Sequence, residues 1–80
     1  MNEKEFVHFI KKSLQEKHQL IEIDTNLKDI KKWDSLASVR VLLELSNKLD
    51  KKFEMNAIAN FKSLRELYKY FTDTDTDNNK

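Results

Sequence analysis

The chain has neither glycine nor proline in its 80 residues, and this absence limits the available folds more than any other sequence feature. Tight β-hairpins depend on glycine at positions of positive φ, so turn-rich β folds are unfavourable without it. Collagen-like and propeller architectures are disfavoured on the same grounds. The absence of these two residues affects helical folds least, because glycine and proline are the residues that weaken a helix interior most. The composition therefore predicts an all-α fold.

The size and charge of the chain limit the kinds of function that it can have. Eighty residues suffice for one small domain, and the absence of cysteine excludes disulfides and thiolate metal sites. Lys and Arg number 15 against 14 Asp and Glu, whereas a nucleic-acid-binding domain is expected to carry a basic excess on one face. The opening MNEKEF has no apolar run typical of a signal peptide, and no segment approaches the ~20 apolar residues of a membrane span. We expect a soluble, cytoplasmic monomer that binds no nucleic acid.

The N-terminal part of the chain predicts one helix followed by a long connection. Over residues 3–17, at ~100° per residue, one arc collects the apolar side chains Phe6, Val7, Phe9, Ile10 and Leu14. Residues 18–33 lack a sustained helical period, which indicates a loop. We expect five side chains to attach this loop to the core: Leu20, Ile23, Leu27, Ile30 and Trp33. Loops of this length tend to be functional.

The second half predicts three more helices. The longest covers residues 35–49, with Asp34 or Ser35 able to cap its start. Residues 56–61 allow one or two short helical turns. Ser63 and Glu66 then form a capping-box pair ahead of a final helix, whose apolar face holds Leu64, Leu67, Tyr68 and Phe71. We predict an antiparallel four-helix bundle, with one domain over residues 1–72 and a disordered polar tail over residues 73–80.

Trp33-Asp34-Ser35-Leu36 stands where the long loop meets the longest helix. This segment resembles the phosphopantetheine attachment motif of acyl, peptidyl and D-alanyl carrier proteins, and about residues 3–71 are similar to that family. Asp24-Thr25-Asn26-Leu27 looks like the loop motif that precedes the site in many members. Apolar residues also stand at the family's downstream core and anchor positions, namely Leu45, Leu49, Phe53 and Phe61.

Two departures from the family pattern bear on the type of carrier. Many fatty-acid members have glycine before Asp-Ser-Leu, whereas Lys31-Lys32-Trp33 stands here. Tryptophan at this place is known among D-alanyl and specialised-pathway carriers. Fatty-acid carriers are also acidic along the attachment helix, but this helix has Arg40, Glu44 and Lys48. A general role in fatty-acid synthesis is therefore disfavoured, and dedicated partner enzymes are expected.

The resemblance implies that Ser35 carries a covalent 4′-phosphopantetheine arm derived from coenzyme A, with Asp34 beside it. The arm would hold an acyl or aminoacyl group as a thioester; a fatty acyl, an aminoacyl or another short acyl cargo all remain open. The expected partners are a phosphopantetheinyl transferase, an activating enzyme and a downstream acyltransferase or synthase. The carrier itself would not be an enzyme. Asp34 would either orient the magnesium ion of the transferase or only cap the helix.

A helix start also suits this chemistry on physical grounds. The first turn presents unpaired N–H groups and the positive end of the helix dipole, which favour a phosphate. A simpler role for Ser35 is that of an ordinary N-cap, and the two roles are compatible. The rival to a carrier is a helical interaction module that shares the carrier fold and is never modified.

The helix over residues 35–49 has a second apolar stripe outside its core face. A helical projection clusters Val41, Leu42, Leu45 and Leu49 on one side, whereas Leu36, Val39 and Leu43 lie on the flank adjoining Ser35. A surface helix of a small bundle does not need two stripes. We interpret the second stripe as a docking patch with Arg40 and Asn47 at its rim; the alternative is that the long loop or the short helix covers part of it.

No metal site is expected. Asp73, Asp75 and Asp77 imitate the opening of an EF-hand loop, but the sixth position is Asn78 and the chain ends before the twelfth. His8 and His18 have no second ligand at helical spacing. No histidine is placed to take a proton from Ser35, as a hydrolase would require.

Overall fold

A computed structural model of the chain describes residues 1–72 and contains no β-strand within that range. The predictions for the tail, a disordered segment and no calcium site at the aspartates 73, 75 and 77, concern residues outside the described range. The helices are α1 (Glu3–Leu14), α2 (Ser35–Leu49), α3 (Met55–Ile58) and α4 (Leu64–Thr72), with a short 3-10 helix at Leu27–Asp29. The predicted all-α class is confirmed, and α1, α2 and α4 contact one another pairwise. The antiparallel order of the helices stays a prediction.

Helix α1 ends three residues earlier than the predicted boundary at residue 17. Its start is a capping box: the Asn2 side chain accepts from the Glu5 N–H at 2.8 Å, and the Glu5 carboxylate accepts from the Asn2 N–H at 2.9 Å. Its end is Gln15, which adopts a left-handed conformation with φ of 58°. Helices commonly end on glycine in this conformation, and a chain without glycine places Gln15 there and Asp50 after α2.

Glu16 organises the first turn of the long loop. Its carboxylate accepts hydrogen bonds from the N–H groups of His18 at 2.9 Å and Gln19 at 2.8 Å, and the residue is buried. Because these two backbone donors favour the ionised form, they lower the pKa of Glu16. Glu16 therefore stabilises a turn, which explains why the chain past Leu14 does not continue as a helix.

The core contains one face of every helix. Its members are Phe6, Ile10, Leu14, Ile21, Leu27, Ile30, Val41, Leu42, Leu45, Ile58, Leu64, Leu67 and Phe71. Of the five loop residues predicted to attach the loop, Leu27 and Ile30 are buried, while Ile23 and Trp33 are half-buried against the core. The prediction for Leu20 was wrong: it is 76% exposed, and its neighbour Ile21 is buried instead. Where the backbone is not helical, hydrophobicity alone does not show which of two adjacent apolar residues points into the core.

The long loop is joined to the start of α4 through the backbone. The Leu27 N–H donates to the Lys62 carbonyl at 2.8 Å, and the Leu64 N–H donates to the Thr25 carbonyl at 3.1 Å. Arg65 strengthens this junction by pairing with Asp24 of the loop at 2.6 Å and with Glu3 of α1 at 2.8 Å. The hydrogen bond from Arg65 lowers the pKa of Asp24. Loop, α1 and α4 thus meet at one guanidinium.

The predicted capping box of α4 is present in half. The Glu66 carboxylate accepts from the N–H groups of Lys62 and Ser63, and these bonds lower the pKa of Glu66. The Glu66 N–H donates to the Ser63 carbonyl at 3.2 Å, and no bond to the Ser63 hydroxyl accompanies it in residues 1–72. The buried face of α4 holds Leu64, Leu67 and Phe71, as the spacing predicted.

We expect Leu45→Ala to lower the free energy of unfolding by ~2–5 kcal/mol, since Leu45 is fully buried and its truncation leaves a cavity. Leu49 is only half-buried, so Leu49→Ala should cost less. Leu43→Ala is the matched control, because this leucine of the same helix is 53% exposed. Urea denaturation of the three variants measures the order. Equal losses for Leu43→Ala and Leu45→Ala would show that α2 is rotated about its axis.

A second prediction concerns pH. The folded-state pKa of Glu16 is lowered, so its contribution to stability is present above the unfolded-state pKa of about 4 and is lost as the pH falls through the folded value. We therefore expect Glu16→Gln to flatten the decline in unfolding free energy between about pH 7 and about pH 3. The control is Glu22→Gln, at an exposed carboxylate of the same loop. An unchanged slope in Glu16→Gln would contradict the assigned cap.

Candidate functional site

The site lies where the long loop enters α2. Asp34 is the N-cap: its Oδ1 accepts from the Ala37 N–H at 2.8 Å, and its carbonyl accepts from the Ser38 N–H at 2.8 Å. Of the two candidate caps, the structure selects Asp34. Ser35 is therefore the first helical residue, and the reading of Ser35 as an ordinary N-cap is wrong.

The Ser35 side chain is exposed and belongs to the first turn of α2. Within residues 1–72, the N–H groups of Ser35 and Leu36 have no hydrogen-bond acceptor, as is usual for the first positions of a helix. The Ser38 hydroxyl donates to the backbone carbonyl of Ser35 at 3.0 Å. This bond does not involve the Ser35 hydroxyl. The Ser35 hydroxyl thus belongs to a turn whose N–H groups lack acceptors, at the positive end of the helix dipole.

Two residues hold the loop ahead of Ser35: Gln19, which sequence reasoning did not single out, and Trp33, which it did. The Gln19 side chain donates to the Asp29 carbonyl at 2.6 Å and accepts from the Lys31 N–H at 2.9 Å. Trp33 is half-buried, and its N–H donates to the Ile30 carbonyl at 3.0 Å. A glutamine in a polar segment gives no sequence signal for such a contact, because its partners lie 10 and 12 residues away.

The second apolar stripe of α2 is open to solvent. Leu36 is 83% exposed, Leu43 53% and Val39 40%, whereas Val41, Leu42 and Leu45 face the core. The alternative that the long loop or α3 covers part of the stripe can apply at most to Val39, the least exposed of the three. Met55 at the start of α3 is a further exposed apolar residue, at 47%, that the sequence did not mark.

The two predicted rim residues differ in their surroundings. Asn47 is exposed on α2. Arg40 is exposed as well, but its Nη2 donates to the Ser13 carbonyl near the end of α1 at 3.2 Å. On the next turn, the Glu44 carboxylate accepts from the Ser13 hydroxyl. The charged flank of α2 therefore lies against the C-terminal end of α1.

Other kinds of site find little support in the part of the chain that the structure describes. Residues 1–72 contain no group of three or more His, Asp or Glu side chains arranged to hold a metal ion. His8 and His18 are both exposed. None of the helices in this range is long and apolar enough to cross a membrane.

Comparison with known proteins identifies the family of the chain. No curated protein and no solved structure matches the chain. The family model described as "phosphopantetheine attachment site" matches residues 6–71, which extend from α1 through α4 and include the exposed serine. The chain therefore belongs to the acyl carrier protein family, whose phosphopantetheine attachment domains carry a covalently bound 4′-phosphopantetheine group.

Proposed function

We propose that residues 1–72 form a discrete carrier domain that holds an acyl or aminoacyl group as a thioester on a 4′-phosphopantetheine arm attached to Ser35. The observation that carries this proposal is the exposed hydroxyl of Ser35 at the first position of α2, within a chain that belongs to a phosphopantetheine-carrying family. None of the other serines is proposed to carry the arm. Ser13, Ser38, Ser46 and Ser63 are all half-buried, unlike Ser35.

The surroundings of Ser35 fit a phosphodiester. Joined to the serine oxygen, a phosphate would lie next to the N–H groups of Ser35 and Leu36, which have no acceptor in residues 1–72. The helix dipole adds a favourable field for an anion at this end. Once attached, the arm supplies a terminal thiol that holds the cargo as a thioester.

Asp34 has two tasks in this proposal. Its Oδ1 caps α2 through the Ala37 N–H and so keeps Ser35 at the first helical position. Its second oxygen has no partner in residues 1–72 and is available to the magnesium ion of a phosphopantetheinyl transferase. The cap acts in the free carrier, and the contact with magnesium arises only during attachment.

The carrier supplies position and not catalysis. Its partners would be the transferase, an activating enzyme that loads the cargo, and an acyltransferase or synthase that removes it, all in the cytoplasm. The exposed stripe of Leu36, Val39 and Leu43 lies on the helix that begins with Ser35, so an enzyme that covers the stripe also reaches the base of the arm. We therefore assign docking to this stripe, with Arg40 and Asn47 at its rim.

Exposure of the full chain to coenzyme A and a phosphopantetheinyl transferase should add one phosphopantetheinyl group, read by intact mass. Ser35→Ala should add none while keeping its helical circular dichroism, because only the hydroxyl is removed. Ser38→Ala, one turn further along α2, is the control and should be modified normally. Addition to the Ser35→Ala variant would refute the assignment, and no addition to the wild type would favour an unmodified interaction module.

A second test addresses docking. Leu43→Asp should lower turnover of the loaded carrier at least about tenfold with every partner enzyme, since it removes contact area and adds a charge that docking must desolvate. Leu20→Asp is the matched control: Leu20 is also an exposed leucine, 76% exposed, but it belongs to the long loop and not to α2. Equal losses in the two variants would show that the stripe has no special role.

A further inference from the structure

We propose that the enzymes served by this carrier dock through an apolar depression bordered by carboxylates, and that Lys32 and Arg40 receive those carboxylates. This inference rests on the proposed attachment at Ser35 and specifies the chemistry of the partner surface. We call Lys32 and Arg40 together the cationic rim. They stand three residues before Ser35 and five residues after it.

The cationic rim is assembled by the end of α1. The Lys32 ammonium donates to the Gln15 carbonyl at 2.7 Å, and the Arg40 guanidinium donates to the Ser13 carbonyl at 3.2 Å. Carbonyls at a helix C-terminus carry partial negative charge and attract cations. Two positive side chains from opposite sides of the attachment serine are therefore brought to the same end of one helix.

Both side chains keep most of their hydrogen-bond donors free. An ammonium has three N–H donors and a guanidinium five, and the structure gives each group one hydrogen bond within residues 1–72. Both ion pairs in the described chain belong to Arg65, and Lys32 and Arg40 form none there, although the Glu16 carboxylate is near enough to Lys32 for an electrostatic attraction. Both residues are exposed, so their remaining donors are accessible to a partner's carboxylates.

Three carboxylates lie on the neighbouring elements, and each accepts hydrogen bonds from within the chain. Glu16 accepts two backbone N–H bonds, Asp34 caps α2, and Glu44 accepts from the Ser13 hydroxyl. Further positive charge comes from the end of α1 and the turn after it, where Lys11, Lys12 and Lys17 surround an open concavity. Beside α2, these three lysines together with Lys32 and Arg40 thus outnumber the three carboxylates.

The cationic rim also adjoins the apolar stripe. Arg40 follows Leu36 by four residues and precedes Leu43 by three, and residues at these spacings are neighbours on a helix surface. A partner that seats the stripe in an apolar depression therefore brings its border against Arg40, and Lys32 is held at the same end of α1 as Arg40. Carboxylates at that border speed association, whereas lysines or arginines there are rejected by like charge.

The test uses the full-length protein with its arm attached and two forms of one probe enzyme. The probe is a fatty-acid ketosynthase whose docking face is lined by lysine and arginine, together with a variant in which those residues are glutamate. We expect calorimetry at about 50 mM salt to give at least about tenfold tighter binding to the glutamate form, with the preference shrinking as salt screens it. Lys32→Glu/Arg40→Glu should reverse the order, and Lys32→Gln/Arg40→Gln, which introduces no new charge, should abolish it.

The matched control is Lys4→Glu/Lys69→Glu, which makes the same change in net charge at exposed positions on α1 and α4. This control should keep the wild-type order. Equal binding of the two probe forms by wild type, or reversal in the control as well, would overturn the proposal. The proposal is likewise overturned if wild type shows no preference and a variant with Asp73, Asp75 and Asp77 changed to Asn does. In that case the occupant of the cationic rim is the chain's own end. Failure of attachment is recognised separately, by the absence of added mass at Ser35.

Discussion

Burial of one face of α2 determines where the functional groups of this protein lie. Val41 and Leu45 are fully buried, and Leu42 nearly so, against a core formed with α1 and α4. Because a helix turns ~100° per residue, fixing this face also fixes the rest of its circumference. The stripe of Leu36, Val39 and Leu43 then points away from the core, and Arg40 lies on the flank toward α1. The stripe is exposed because, in addition, no other described element covers most of it.

The start of α2 depends on a different set of interactions, which are polar and local. Asp34 closes the first turn, and Gln19 holds the loop just upstream through two backbone groups. Farther back, hydrogen bonds between residues 25–27 and residues 62–64 attach the same loop to α4. A helix terminus that is held on its loop side presents Ser35 in a defined orientation, although the serine itself is exposed. Such an arrangement suits a residue that an enzyme must find and modify.

The charge distribution separates this chain from strongly acidic carriers. Its net charge is +1, and the positive groups near the attachment helix are drawn to the end of α1 by carbonyl oxygens. Electrostatic complementarity contributes more to the choice of partner and to association rate than to affinity itself. In the proposed mode of docking, the cationic rim beside the apolar stripe selects among enzymes that would all accept the same phosphopantetheine arm.

Resemblance to carrier proteins singled out Ser35 as the candidate attachment residue. The sequence by itself determined the class of fold and the limits of α2. These properties follow from helical periodicity and capping, which are local and can be read along the chain. The end of α1 at Leu14 and the choice of Asp34 as the cap rest on local hydrogen bonds that the spacing of apolar residues does not reveal. Tertiary structure decided the burial of Ile21 in place of Leu20. It also decided the contacts of Gln19, Lys32 and Arg40, whose partners are 10 to 27 residues distant. Polar side chains in a loop have no periodic pattern, so their partners are defined only when the core brings distant backbone groups together.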